Sequence, residues 1–193
     1  ADCSLMTAPV VTLRDVLAED SGKILAWRNS PEVRPYMYTD HVISQAEHDR
    51  WFAGIPGDAR RRYWIIQMDE ADVGLINLYD IDERNRRCAW AYYLADPAVR
   101  GKGIGSYLEY WALQHVFETM GFGKLWCEVL VSNEAVWKLH ETHGFKQEAR
   151  FRQHIYRDEP EDVFGLGILA DEWRERRPAM AARLAEKGFA VPA

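Results

Sequence analysis

The chain has 193 residues, 48% of them hydrophobic and 28% charged, which suits one domain with a full core and does not suit a disordered segment. A formal net charge of −6 argues against bulk nucleic-acid binding. The three cysteines (Cys3, Cys88 and Cys127) are too far apart for a disulfide framework or a metal-ligand spacing, no apolar run reaches membrane length, and no secretory leader is legible. The expectation is therefore a cytoplasmic protein with no metal, and with Cys88 and Cys127 as core thiols.

Residues 1–9 carry no structural pattern and read as an N-terminal extension, within which Met6 could be an internal or original start. Val10 to Leu17 alternates as a first strand. Glu19 to Asn29 reads as a helix with Ile24, Leu25 and Trp27 on its apolar side, broken by Ser30-Pro31. The run Pro35-Tyr36-Met37-Tyr38-Thr39-Asp40 is an aromatic loop that either caps the core or walls a pocket. Ser44-Gln45-Ala46-Glu47 has the spacing of a capping box opening a second helix with His48, Trp51 and Phe52. Gly54 to Asp58 is a turn. A strand Arg61 to Met68, a turn Asp69 to Asp72, a strand Val73 to Tyr79, a polar connection Asp80 to Arg86 and a strand Cys88 to Leu94 predict an antiparallel meander.

Asp96-Pro97 ends that last strand, because proline cannot donate to a ladder. Arg100-Gly101-Lys102-Gly103-Ile104-Gly105 follows and leads into an amphipathic helix over Tyr107 to Met120. Three glycines in five residues let backbone N–H groups approach a bound group closely. The unpaired donors of a helix N-terminus face the same way, and Arg100 and Lys102 add charge. The reading is a pyrophosphate cradle. Neither the dinucleotide fingerprint nor the P-loop spacing fits. Gly121 and Gly123 stop the helix, Leu125 to Val131 is a buried strand, and Ser132-Asn133 starts a helix over Glu134 to Thr142 that ends at Gly144. Gln147 to Tyr156 and Asp162 to Leu169 form a hairpin around Arg157-Asp158-Glu159-Pro160. Asp171 to Glu186 is a charged terminal helix that frames a pocket, packs on the sheet or serves a partner chain.

The spacing Arg100-x-x-Gly103-x-Gly105 resembles the acetyl-CoA loop of the GNAT N-acetyltransferases. Asn133-Glu134-Ala135-Val136-Trp137-Lys138-Leu139-His140 with Gly144-Phe145 resembles their second signature, Asn-x-x-Ala-x-x-Leu-Tyr-x-x-x-Gly-Phe. Val136 departs from the usual alanine, and His140 from the usual tyrosine. The resemblance covers roughly residues 10 to 170. It implies an α/β (α+β) GNAT fold, a central, mixed, mostly antiparallel seven-stranded sheet flanked by helices, with residues 10–170 as the acetyltransferase domain and 171–193 as a C-terminal helical extension. Trp27-Arg28-Asn29-Ser30-Pro31, Arg34-Pro35-Tyr36-Met37-Tyr38 and Glu47-His48-Asp49-Arg50-Trp51-Phe52 further resemble the nucleotide-sugar N-acetyltransferases of pseudaminic acid synthesis, which serve flagellin glycosylation. That resemblance implies transfer of acetyl from acetyl-CoA to the 4-amino group of a UDP-linked 4-amino-4,6-dideoxy sugar, by direct attack of the amine on the thioester.

The same resemblance implies roles by position. Gly101, Gly103 and Gly105 would hold the pyrophosphate, with Val99, Arg100 and Ser106 in support. Backbone donors near Leu94 would meet the thioester oxygen, where charge develops. Asn133 would bond the pantetheine arm, cap its helix, or do both. His140 would protonate the leaving thiolate as an imidazolium, or only take the hydrogen-bonding place of the tyrosine. Glu128, inside an apolar strand, would contact the sugar and serve as the base, or only anchor it. Arg28 and His48 would meet the sugar-nucleotide diphosphate, an arginine fork being suited to phosphate, although Arg28 also suits a helix C-terminus. Met37, Tyr38, Trp51 and Tyr92 would wall the 6-deoxy methyl group, with plain core equally open for Trp51 and Tyr92. A homodimer is plausible. The rivals are a GNAT enzyme acting on protein N-termini or polyamines, and a non-catalytic acyl-CoA-binding protein, permitted by the missing tyrosine.

Overall fold

The structure, a computed structural model, describes residues 8–193; Cys3, Met6 and the rest of 1–7 lie outside it. In chain order it contains β1 (Val11–Asp15), α1 (Ser21–Asn29), α2 (Gln45–Ala53), β2 (Arg62–Met68), β3 (Ala71–Asp82) and β4 (Arg87–Leu94). These are followed by α3 (Ile104–Gln114), β5 (Lys124–Leu130), α4 (Glu134–Thr142), β6 (Lys146–Arg157), β7 (Glu159–Leu169) and α5 (Ala170–Glu186). The strands form one seven-stranded sheet in the order β1-β2-β3-β4-β5-β7-β6. Neighbours run antiparallel except β4 and β5, so the mixed, mostly antiparallel sheet expected from the sequence is present.

Alternation along the strands divides the core in two. Ile24, Ile65 and Leu75 form a small cluster with Trp27, Trp51 and Tyr63, which closes α1 and α2 onto one face of the sheet. Trp64, Ile66 and Ile76 point the other way, into a larger cluster with Leu108 and Leu113 of α3 and with Trp173, Met180 and Leu184 of α5. The charged terminal helix therefore packs on the same core as α3.

Several boundaries differ from the sequence reading. The β2–β3 turn contracts to Asp69 and Glu70, both left-handed (φ 49° and 70°), so β3 already begins at Ala71. The β6–β7 turn contracts to Asp158 (φ 47°), with Arg157 paired to Glu159. Both contractions use acidic residues in a conformation glycine would usually supply. Helix α3 starts at Ile104, three residues early, and gives way after Gln114 to a wider turn closed by Met120 N–H to His115 C=O at 2.9 Å. The proposed capping box at α2 is half made: Ser44 accepts from the Glu47 N–H, but the Glu47 side chain pairs with His41.

The cleft of this molecule originates at the sheet's one parallel junction. Strands β4 and β5 pair over three positions only, Arg87 to Lys124, Cys88 to Leu125 and Ala89 to Trp126. Beyond Ala89, β4 stays on β3 as far as Leu94, while β5 stays on β7 as far as Leu130. Gly74 holds β4 to β3 at the far end, because a Cβ there would lie 2.1 Å from the Tyr93 carbonyl oxygen. The two strands consequently splay, and each presents an unpaired backbone edge to the gap.

Candidate active site

A cavity of ≈ 390 Å³ fills the splay. Trp90 to Tyr93 of β4 and Cys127 to Leu130 of β5 form its sides. Its wall takes residues from both halves of the core: Arg28, Trp51 and Leu75 from the α1–α2 side, and Asn133, Val136 and His140 from α4. Of the expected site residues, Arg28, Met37, Tyr38, Trp51, Tyr92, Glu128, Asn133 and His140 meet in this one cleft.

The aromatic loop is a wall of the cleft. Its base is clipped by Asn29, whose amide donates to the Ile43 carbonyl at 2.9 Å and accepts from the Ile43 N–H at 2.8 Å. Its middle is held by Arg157, which donates to the carbonyls of Pro35 and Met37 and is itself anchored to Glu161 at 2.7 Å. The Tyr38 hydroxyl thereby reaches across the cleft and donates to Glu128 Oε2 at 2.8 Å. Burial and the Glu128 carboxylate both push the Tyr38 phenol well above its ordinary range, so it stays a neutral donor. Glu128 is half-buried at the cleft wall rather than enclosed in the strand's interior.

Arg28 stands on the same side. Its guanidinium lies 4.4 Å over the Trp51 ring and 3.4 Å from His48 Nδ1. It is half-buried, and burial lowers its affinity for a proton. Among the described residues no carboxylate lies within ion-pair distance of it. His48 does not take the expected place at a diphosphate. It is fully buried between α1 and α2, with Nε2 on Ser21 Oγ at 3.1 Å and Nδ1 toward Arg28. Burial first, and then the Arg28 charge, lower its pKa, so it supports Arg28 as a neutral ring.

The glycine loop sits beyond the β4 end of the cleft. Gly101 and Gly103 have φ of 75° and 80°, which only glycine adopts without strain. Gly103 precedes α3, so the first N–H groups of an 11-residue helix are presented there. Gly105 serves packing as well: a Cβ would meet Leu139 Cδ2 of α4 at 2.9 Å. Arg100 departs from expectation. Its guanidinium bonds the Glu32 carbonyl at 2.9 Å, the Glu32 carboxylate at 3.2 Å and the Leu94 carbonyl at 3.2 Å, so it braces the loop instead of offering a free charge. Val99 is 2% exposed, and its side chain anchors the loop in the core. Ser106 lies in the first turn of α3, and Phe189 packs on Tyr107 and against Gly103. Asn133 makes no capping bond at α4, which leaves its amide free beside the cleft.

His140 is 4% exposed, with its ring edged by Trp90 and Phe145 at 5.3 Å each. Its Nδ1 bonds Glu109 Oε1, from a carboxylate on α3 that is itself fully buried. Burial opposes charge on the ring, but Glu109, with Cys127 alongside, outweighs it and holds the imidazolium well above the ordinary histidine value. Sequence reasoning passed over Glu109. The available signal was an acid inside a buried helical stripe, between Leu108 and Tyr110 and one turn before Leu113.

The acetyltransferase (GNAT) domain family matches residues 11–146. The chain belongs to this family. Acetyltransferase PseH of Campylobacter jejuni is 28% identical over 122 residues, covering 63% of this chain and 74% of the relative. Spermidine N(1)-acetyltransferase of Escherichia coli is 22% identical over 150 residues, covering 78% of this chain and 80% of the relative. Among solved structures, spermidine N-acetyltransferase from Vibrio cholerae in complex with CoA and spermine superposes with a TM-score of 0.79 at 22% identity, over 85% of this chain and 98% of that one. That likeness establishes the GNAT fold.

Proposed function

We propose that this GNAT acetyltransferase transfers acetyl from acetyl-CoA to the 4-amino group of a UDP-linked 4-amino-4,6-dideoxy sugar. The observation that carries the reading is the pairing of Arg28 and Glu128 in one largely apolar cleft, neither with an ion-pair partner among the described residues. A half-buried guanidinium without a carboxylate is favourable when an anion completes it. A sugar nucleotide brings a diphosphate for Arg28, an amine for Glu128 and a 6-methyl group for Met37, Tyr38 and Trp51. A polyamine would need several carboxylates and would meet a cation at Arg28. The resemblance of the N-terminal half to the pseudaminic acid enzymes supports the same acceptor.

Bound acetyl-CoA supplies the acetyl thioester. The left-handed glycines and the N–H groups opening α3 suit its pyrophosphate, and the Asn133 amide suits the pantetheine arm. The unpaired edge of β4 provides donors for the thioester oxygen. Glu128 orients the amine and takes its proton as the C–N bond forms. The second ring nitrogen of His140 donates to sulfur as the C–S bond breaks.

The test is thiol release from acetyl-CoA with UDP-4-amino-4,6-dideoxy sugars of altro and gluco type, and with spermidine. Turnover of the altro sugar, with an Arg28→Gln variant raising its KM about tenfold or more and leaving acetyl-CoA affinity unchanged, is the expected result. Preferred turnover of spermidine would overturn the acceptor assignment.

A further inference from the structure

We infer that Glu109 is a positioning residue for the acetyl transfer: it binds Nδ1 of His140, keeps the ring an imidazolium, and aims the other nitrogen into the cleft as the proton donor to sulfur. The inference rests on the acetyl-transfer reading above and adds a residue to it.

The geometry comes from packing. Gly105 lets α4 approach α3 until Leu139 Cδ2 would touch a Cβ there. Glu109 lies one turn further along the same face of α3, and His140 follows Leu139 on α4, so the close crossing delivers the carboxylate to the ring. Glu109 is fully buried, and its Oε2 has no hydrogen-bond partner among the described residues. The imidazole is thus its one partner. A charged ring against that carboxylate offsets the cost of burying it. An apolar pair of similar volume would serve the fold as well or better, so stability alone does not account for these two residues. The pair also has an outlet, because His140 lines the cleft while Glu109 does not.

The aromatic groups around the pair bring no charge of their own. Tyr92 of β4 is a phenol that burial, with Glu109 nearby, pushes well above its ordinary range, so it stays neutral. Cys127 of β5 hydrogen-bonds the ring and, after Glu109, favours its charged form, while Trp90 and Phe145 complete the enclosure with uncharged rings. With Nδ1 committed to Glu109, the remaining N–H serves the leaving group. As the amine nitrogen bonds the acyl carbon and the C–S bond breaks, that proton passes to sulfur. His140 is left neutral with its Nδ1–H on Glu109 and Glu128 holds the proton lost by the amine; exchange with solvent, one proton released by Glu128 and one taken up by His140, restores both. No net proton is gained or lost.

The experiment compares wild type with Glu109→Gln, which keeps an acceptor for the Nδ1–H and removes the charge. In the wild type, ¹⁵N NMR of the His140 ring should show both nitrogens protonated at pH 8. In Glu109→Gln the ring should titrate near the ordinary histidine value, kcat at pH 8 should fall about 100-fold, and the basic limb of the kcat profile should move to lower pH while acetyl-CoA affinity holds. A wild-type His140 already neutral at pH 7 overturns the inference, whether or not the variant folds. So does a folded variant whose pH profile has not moved. If no acceptor is turned over but the ring behaves as described, the acceptor assignment fails and the charge-holding role of Glu109 stands.

Discussion

His140 stands where the family's signature carries tyrosine, and the two donors give up a proton on different terms. A phenol in this enclosure would hold its proton tightly, as burial makes Tyr92 do one strand away. An imidazolium against Glu109 is charged at working pH and becomes neutral on donating, which suits a leaving thiolate near neutrality. Replacing His140 with alanine should lower kcat by about 10²–10⁴-fold and change acetyl-CoA affinity by no more than a few-fold. Single-turnover thiol release beside calorimetric binding checks it, and an unchanged kcat would refute the assignment. Residue type and motif position were enough to bring Arg28, Glu128, Asn133 and His140 to one cleft. What they could not convey was who holds whom. Arg100 looks free until Glu32 meets it from 68 positions away, and Tyr38 reaches Glu128 across 90. His48 looks exposed on a polar helix until α1 closes over it. Glu109 was hidden for the same reason, since its partner lies 31 residues on, in another helix.

At the scale of elements, polar networks hold the edge strand and the first helix in place. Arg14 of β1 bonds both oxygens of Asp20 at 2.8 Å and Asp72 of β3 at 2.7 Å, and Lys23 of α1 closes on the same Asp72. Burial alone would raise the Asp72 pKa, but Arg14, Lys23 and Gln67 outweigh it and hold it to about 2. A carboxylate depressed in the folded state contributes stability that is complete above its unfolded value, near 4, and is lost as pH falls through about 2. Asp72→Asn should therefore cost about 2 kcal/mol at pH 7, with the gap to wild type closing between pH 4 and pH 2. Urea unfolding at stepped pH reads this directly, and a gap independent of pH would refute it. The elements themselves were legible from periodicity, glycine stops and proline breaks. Their ends were less so, because turns at Asp69-Glu70 and Asp158 adopt left-handed backbone without the glycine that usually announces it. The role of the terminal helix was open in the sequence, as its charge pattern hides Trp173, Met180 and Leu184, which bury against α3's side of the sheet.

Across the whole molecule, the cleft passes through the sheet instead of lying on it. One side is built by α1, α2 and the aromatic loop, and the other by α4, with the splayed strands between them and the glycine loop beyond the β4 end. No periodicity encodes how far a parallel pair stays zipped, so the three-pair limit of β4 and β5 emerges only in the folded sheet. With the acceptor on the Arg28 side and the donor on the glycine-loop side, as proposed above, the two would meet across the splayed strands, which favours direct transfer between them. The competing route is an acetyl-enzyme on Cys127, the one cysteine among the described residues that lines the cleft. Cys127 is 2% exposed in the cleft wall beside His140, so little of the residue is open to attack a thioester. Initial-rate kinetics should accordingly give intersecting lines for acetyl-CoA and acceptor, the signature of a ternary complex, and mass spectrometry after acetyl-CoA alone should find no acetyl group on the chain. A folded Cys127→Ala variant should keep its rate within about tenfold of wild type, whereas an acetyl-cysteine route would lose activity outright. Parallel lines together with an acetylated Cys127 would replace direct transfer by a two-step mechanism and reassign His140 as the base that activates the thiol.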